Sequence, residues 1–212
     1  MKILVFSDSH LTDKFEEKKF YFLKKIIRQS DFVIINGDFW DGYLTTFNRF
    51  ISSNWSKLFP LLKSKKTIYI YGNHDRESYI DRNVSQFSDL QTHAYRLQLN
   101  GTSFIFEHGH RLYPAIDEKL PRSLNKILTI AVGSILENVS LLQLMLKRVN
   151  RIIKKKVKKE LGIKEMFVCG HSHYAEFDLK NRFINTGFIE NGLAQYLIID
   201  KNKLFPKEEW YD

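Results

Sequence analysis

Short apolar runs, each ending in a polar cluster, alternate with helical spacing through the first third of the chain. Residues 3–6 form a strand-length run that stops at Ser7-Asp8-Ser9-His10. A helix is expected from about residue 14, where Asp13 and Glu16 have capping-box spacing and Phe15, Phe22, Leu23, Ile26 and Ile27 share one face. Residues 32–35 make a second strand ending at Asn36-Gly37-Asp38-Phe39-Trp40-Asp41. Residues 45–64 read as one helix carrying Phe47, Phe50, Ile51, Trp55 and Leu58, and residues 67–71 form a third strand running into Gly72-Asn73-His74-Asp75. Glycine at 72 permits a tight turn and close backbone approach. Strands and helices in alternation, with polar residues after each strand, predict an α/β domain with its ligands at the strands' C-terminal ends.

After residue 92 the texture changes. Residues 94–99 alternate, Asn100-Gly101 is a hairpin signal, and 102–106 return as a strand ending at Glu107-His108-Gly109-His110. Residues 166–169 lead into Gly170-His171-Ser172-His173, and strands at 175–179, 182–184 and 194–199 close the chain. The expectation is two sheets sharing one rim of polar loops.

Residues 111–165 are longer than a connection needs. Leu128, Val132, Ile135, Val139, Leu142, Leu146, Val149 and Ile153 follow 4-3-4-3 spacing, which predicts helix, divided at Gly133 and near Asn138 into a pair. Further apolar residues, Leu124, Ile127, Ile130, Ala131, Leu136, Leu141, Leu144 and Met145, widen the apolar arc beyond what a half-exposed helix carries. A partner helix, a second subunit or a lipid would cover the extra face.

Composition narrows the class. At 212 residues, 43% hydrophobic and 27% charged, the chain suits one globular domain, 1–212, with an insertion at about 111–165. A lone cysteine, Cys169, excludes an internal disulfide and points to a reducing cytoplasm. The first eight residues do not resemble a signal peptide, and no apolar run reaches the ~18 residues of a spanning helix. The net charge of +9 is local: residues 147–164 hold nine Lys/Arg against one acid, Glu160. Apolar surface beside that segment suits peripheral contact with an anionic membrane at its cytoplasmic face; nucleic acid is the alternative partner.

Six of the seven histidines lie in five clusters: Asp8/His10, Asp38/Asp41, Asn73/His74/Asp75, His108/His110 and His171/His173. Any one pair alone is more often a cap or a satisfied polar group. Five such pairs, each directly after a strand, point to metal. Carboxylate, imidazole and amide without thiolate suit Mn²⁺, Fe or Zn²⁺.

In order, Asp8-Ser9-His10, Gly37-Asp38-Phe39-Trp40-Asp41, Gly72-Asn73-His74-Asp75, His108-Gly109-His110 and Gly170-His171-Ser172-His173 resemble the five signature blocks of the calcineurin-like metallophosphoesterases. The resemblance implies a four-layer α/β/β/α sandwich, here with a helical cap. It also implies two divalent cations, most naturally Mn²⁺, one held by Asp8, His10, Asp38 and His173 and the other by Asp38, Asn73, His108 and His171. Such cations ~3.5–4 Å apart activate a shared water as hydroxide and clamp the phosphoryl oxygens of a phosphodiester, phosphomonoester or pyrophosphate.

By the same resemblance His74 protonates or stabilises the leaving oxygen. Asp75 either orients His74 or caps a helix, and Asp41, His110 and Arg76 contact substrate or support the ligands. The cap position and Gly37-Asp38-Phe39-Trp40-Asp41 are similar to the UDP-2,3-diacylglucosamine hydrolases, although that group usually carries Arg where this chain has His74. A nuclease or cyclic-nucleotide phosphodiesterase using the basic helix is the alternative enzyme, and a metal-free scaffold of the same fold the alternative class. The heptad stripe serves a dimer as easily as a cap.

Overall fold

The computed structural model describes residues 1–114 and 139–211, with side chains in the helix that begins at Val139 described from residue 143. Two sheets pack face to face. The first contains β1 (Lys2–Phe6), β2 (Phe32–Asn36), β3 (Ile68–Ile70), β4 (Leu90–Thr92), β10 (Ile189–Glu190), β11 (Leu193–Asp200) and β12 (Lys203–Trp210), in the order β10-β11-β1-β2-β3-β4 with β12 on β11. β1 to β4 run parallel, and β11 is antiparallel to β1 and β12. The second sheet has the order β5-β6-β7-β9-β8, from β5 (Ala94–Leu99), β6 (Thr102–Glu107), β7 (Glu165–Cys169), β8 (Glu176–Asp178) and β9 (Phe183–Asn185). β6, β7 and β9 are parallel, so both sheets send strand C-termini to the same rim.

Period-two alternation explains the layers. In β1, Ile3 and Val5 meet Phe104, Phe106 and Val168 of the second sheet, whereas Leu4 and Phe6 face the outer helices. Those helices are α1 (Glu17–Arg28), α2 (Phe47–Ile51) and α3 (Phe59–Ser64). On the far side, Ile153 and Val157 of α4 (Val139–Val157) pack on Ile105, Phe167 and Phe183. Burying each such side chain stabilises the assembly by about 1.5–3 kcal/mol. The α/β/β/α sandwich expected from the motifs is therefore the observed architecture.

Several local expectations fail for identifiable reasons. Glu16 is the α1 N-cap but makes no side-chain cap bond, and Asp13 turns instead to Arg49 Nε at 3.5 Å. The single helix expected over 45–64 is three pieces: α2, a 3₁₀ turn at Asn54–Leu58, and α3. Ser53 Oγ takes the Trp55 amide and restarts the chain, and Pro60, which has no N–H to donate, opens α3. β4, β10 and β12 were not anticipated; β12 carries Pro206 and four charged residues, which an edge strand tolerates. The Asn100-Gly101 hairpin forms as expected, with φ of 49° and 75° at its two loop residues.

Within the insertion, α4 realises the helical expectation from Val139 onward. Leu124, Ile127, Leu128, Ile130, Ala131, Val132, Gly133, Ile135 and Leu136 lie outside the described residues, so the expected helical pair does too. Among the described residues no helix is long and apolar enough to cross a membrane. Cys169 is a buried thiol at the end of β7, as its position suggested.

Candidate metal centre

All five polar clusters arrive at one place because each follows the C-terminal end of a parallel strand: Asp8 and His10 after β1, Asp38 after β2, Asn73 after β3, His108 after β6, and His171 and His173 after β7. The loops are laced together by backbone bonds, Ser9 N to Asp38 O at 2.9 Å and Gly170 N to His108 O at 3.0 Å among them.

Contacts of 3.0–3.2 Å and two longer approaches join the seven expected ligands. Asp38 Oδ2 faces His108 Nε2 at 3.1 Å, and Asp8 Oδ1 faces His173 Nε2 at 3.2 Å. His10 Nε2 lies 3.1 Å from His173 Nε2, 3.9 Å from Asp38 Oδ2 and 4.0 Å from Asp8 Oδ1. Asn73 Oδ1 lies 3.2 Å from His108 Nε2 and 3.0 Å from His171 Nδ1. Two triads of these residues, Asp8/His10/His173 and Asp8/Asp38/His108, have ligand atoms close enough to share an ion, as does a third group, His10/Asp41/His74.

The backbone is strained where these groups sit. Asp8, His10, Asp38, His171 and His173 all have φ between 43° and 70°, the left-handed region that non-glycine residues avoid. Each costs about 1–3 kcal/mol, and such strain gathers at functional sites. No sequence signal announces it, since none of the five is glycine. Gly72 lies so close to the site that a Cβ there would stand 2.0 Å from Asp38 Oδ1, which is the close approach the sequence suggested.

The groups behind the rings decide which nitrogen faces inward. His108 Nδ1–H donates to the Asn36 carbonyl at 2.9 Å, turning Nε2 to the centre. His171 Nε2–H donates to the Tyr113 carbonyl at 2.8 Å, so its Nδ1 lone pair points at Asn73 Oδ1. Lone pair against lone pair is repulsive until a cation stands between them. The donor set thus fits divalent metal: nitrogen and oxygen, thiolate-free, with outward hydrogen bonds that fix each ring.

Charge supports the same fit. Burial alone would raise the Asp8 carboxyl, but His108 and His173 outweigh it and hold it at about 2. Asp38 is likewise held well below the usual range, against its burial, by His108, His74 and His10. Burial would lower His10 and His108, yet Glu190 with Asp41 and Asp38 raises the first, and Asp38 with Asp8 the second, each to about 10. His171 goes the other way, to about 4, through burial and the nearby His108 charge. Buried carboxylates thus demand positive charge, and without metal two imidazoles supply it.

In the metal-free fold His10 and His108 keep their protons to about 10, against 6.5 unfolded. Their raised values stabilise the fold fully below about pH 6.5, and that contribution is lost as pH rises through about 10. To hold a cation each must release its proton, so affinity is expected to rise about tenfold per pH unit for each proton released. Calorimetric Mn²⁺ titration between pH 6 and 8, in buffers of differing ionisation heat, checks this; affinity independent of pH, with no proton release, would contradict it.

Asp75 and Asp41 exchange part of their expected roles. Asp75 does not touch the His74 ring: Oδ1 accepts the Gly72 amide at 2.7 Å and the Asp38 amide at 3.0 Å, and Oδ2 the Phe39 amide at 2.7 Å. Burial and the Asp38 charge raise it to about 6. It caps no helix either, since the next turn, Glu77–Tyr79, is capped by Arg76. Asp75 staples the second loop to the third. Asp41 takes the orienting place, with Oδ2 3.1 Å from His74 Nδ1 and 3.5 Å from His10 Nδ1. Its Oδ1 accepts the Tyr43 and Leu44 amides, so no oxygen is left over for substrate.

Arg76 and His110 sit together beside Asn73. They line a cleft of about 370 Å³ with Tyr71, Gly72, Asn73, Glu77, Ser78 and His93. His110 Nδ1 is buried with no hydrogen-bond partner among the described residues. Two contributors had no sequence signal: Glu190, 4.0 Å behind His173 Nδ1, and buried Lys19, whose Nζ donates to the Ser9 carbonyl between two ligands at 2.6 Å.

Comparison with known proteins agrees with this geometry. The family profile described as calcineurin-like phosphoesterase matches residues 1–175. The fold is similar to that of Yfce, a phosphoesterase from E. coli, at TM-score 0.55 and 16% identity over 100% of both chains. It is also similar to an archaeal phosphodiesterase, at TM-score 0.52 and 19% identity over 99% of both chains. A third similar structure, at TM-score 0.50 and 11% identity over 100% of both chains, is wild-type Vps29 from Entamoeba histolytica in complex with Zn²⁺. At these identities the likeness is one of fold. No curated protein sequence matches the chain significantly.

Proposed function

This chain belongs to the calcineurin-like phosphoesterase family, metal-dependent hydrolases of phosphate esters, and from that membership we propose that it hydrolyses a phosphodiester, phosphomonoester or pyrophosphate at a dinuclear centre. Asp8, His10, Asp38 and His173 would hold one cation, and Asp38, Asn73, His108 and His171 the other. The observation that carries this reading is the convergence of all seven donors, from five loops, with Asp38 touching His108 on one side and approaching His10 on the other. When bound, divalent cations would supply Lewis acidity at the phosphoryl oxygens and a nucleophile at neutral pH, and this nitrogen–oxygen donor set without thiolate suits Mn²⁺, Fe or Zn²⁺.

The chain's own residues do the rest. Asp41 holds the Nδ1–H of His74, so Nε2 is left to carry the proton that the leaving oxygen takes. Tyr43, whose ring centroid is 4.4 Å from that of His74, limits how far the imidazole tilts. Arg76 and His110 line the cleft beside Asn73 and would meet the phosphate or its leaving group.

The test is hydrolysis of bis(p-nitrophenyl) phosphate by metal-stripped protein, with and without Mn²⁺. Activity is expected only with metal restored; equal activity in chelator would overturn the reading.

Delivery of substrate from an anionic lipid surface is the finer part of the proposal. The outer face of α4 sets exposed Leu144 and Met145 beside exposed Arg148, Arg151 and Lys155, and exposed Lys158 and Lys159 follow its end. A basic residue near such a surface contributes about 1 kcal/mol. Arg151→Ala with Lys155→Ala is therefore expected to weaken binding to anionic vesicles about 30-fold, as read by co-sedimentation. Equal binding of both proteins, or preference for single-stranded DNA over vesicles, would reject that surface. A positive result makes a lipid-linked nucleotide pyrophosphate such as UDP-diacylglucosamine the first physiological substrate to assay.

A further inference from the structure

Asn150 lies on the inward face of α4, beside Val149 and Ile153, and is completely buried. A helix packing on a sheet gains nothing from an amide there unless its polar atoms are satisfied. Asn150 Oδ1 accepts Ser172 Oγ–H at 2.6 Å and an Asn185 Nδ2–H at 2.9 Å. Its Nδ2 donates to the Tyr174 carbonyl at 2.9 Å and to Glu176 Oε2 at 3.0 Å. Ser172 lies between His171 and His173, and Tyr174 follows His173. One side chain of the insertion therefore grips the middle and the C-terminal end of the segment carrying two of the expected ligands.

That segment needs an outside hold. His171 and His173 have φ of 70° and 53°, a conformation the chain does not keep unaided. At its start the segment is held by the His171 amide on Asp8 Oδ2 at 3.0 Å and by Asn185 Nδ2 on the Gly170 carbonyl at 2.7 Å; within it the Ser172 amide reaches the Gly170 carbonyl at 2.9 Å. Neighbouring contacts from the same helix brace the facing loop. Lys156 Nζ donates to the Leu112 carbonyl at 2.7 Å, one residue before Tyr113, whose carbonyl receives the His171 ring. Glu160, just beyond α4, pairs with Arg111 at 2.8 Å, and Ile153 packs against Gly109.

We propose that Asn150 is a positioning residue that makes the metal-ligand geometry of His171 and His173 depend on the insertion helix. The proposal rests on the metal-centre reading above. Polar groups that orient ligands typically change metal affinity 10- to 100-fold when removed. A residue serving only packing would lower stability and leave affinity unchanged.

The experiment compares Mn²⁺ affinity, by calorimetry on the full chain, in wild type, Asn150→Ala and Val157→Ala, at a temperature where circular dichroism shows all three folded. Val157 is buried on the same helix but makes no polar contact with the ligand loop, so it reports helix destabilisation alone. Asn150→Ala is expected to bind Mn²⁺ about 10- to 100-fold more weakly, and Val157→Ala as wild type does. Unchanged affinity in Asn150→Ala, or an equal loss in Val157→Ala, would overturn the proposal. Should Asn150→Ala fail to fold, Ser172→Ala removes that bond from the loop side, together with the Asn185 and Tyr174 bonds to the same hydroxyl, and is judged by the same outcomes. A wild type that takes up no Mn²⁺ overturns the metal centre and this proposal together. A wild type that binds while Asn150→Ala binds equally well overturns this proposal alone.

Discussion

Asp38→Asn is expected to abolish tight cation binding and to lower phosphodiester hydrolysis by about 10³-fold or more. Asp38 Oδ2 lies 3.1 Å from His108 Nε2 and 3.9 Å from His10 Nε2, so it faces both halves of the expected ligand set. Its Oδ1 accepts the His74 amide at 2.9 Å, which fixes the carboxylate's direction. An amide of nearly the same shape keeps the packing but removes the negative charge that would offset the proposed cations in a buried site. Losing Lewis-acid stabilisation of several kcal/mol corresponds to that factor, since each 1.36 kcal/mol is tenfold in rate. Calorimetry with Mn²⁺ and turnover of bis(p-nitrophenyl) phosphate give the two readouts. Full metal binding with unchanged turnover would remove Asp38 from the centre.

The second large effect separates His74 from the ligands. His74→Ala is expected to leave Mn²⁺ affinity near wild type while cutting turnover by about 10²–10³-fold for an alkyl leaving group, which needs a proton to depart. For p-nitrophenolate, which leaves without one, the loss should be much smaller. Asp41→Asn should reproduce part of the effect, about 10- to 100-fold, because it holds His74 Nδ1. Asp75→Asn should act differently. Asp75 accepts three backbone amides and does not reach the His74 ring, so stability falls by about 1–3 kcal/mol in chemical denaturation, with the leaving-group preference retained. Equal losses for both leaving groups in His74→Ala, or lost metal affinity, would reassign His74 as a ligand.

The Asp41 and Asp75 exchange shows where sequence reading stops. Adjacency in Asn73-His74-Asp75 made Asp75 the natural partner for His74, because only chain distance is visible in a sequence. In the fold, consecutive loop residues point apart, and Asp41, on a neighbouring strand's loop, comes to 3.1 Å. Glu190 and Asn150 were invisible for the same reason: each serves a ring or loop far away in sequence. The broken helix at 45–64 is a different failure. Its apolar spacing was helical throughout, and local bonds from Ser53 together with Pro60 outweighed the periodicity.

The sequence by itself determined that two sheets form, where most strands end, and that Asp and His follow those ends in pairs. These are local properties, set by period-two alternation, by the hairpin at Asn100-Gly101 and by residue chemistry. Tertiary structure alone decided which nitrogen of each imidazole faces inward, which carboxylate orients His74, and how α4 holds the His171–His173 segment. Those choices depend on hydrogen bonds between residues 22 to 163 positions apart, such as Ser172 to Asn150 and His10 to His173. Only packing the two sheets face to face, with their strand ends on one rim, brings such atoms within 3 Å or so of one another.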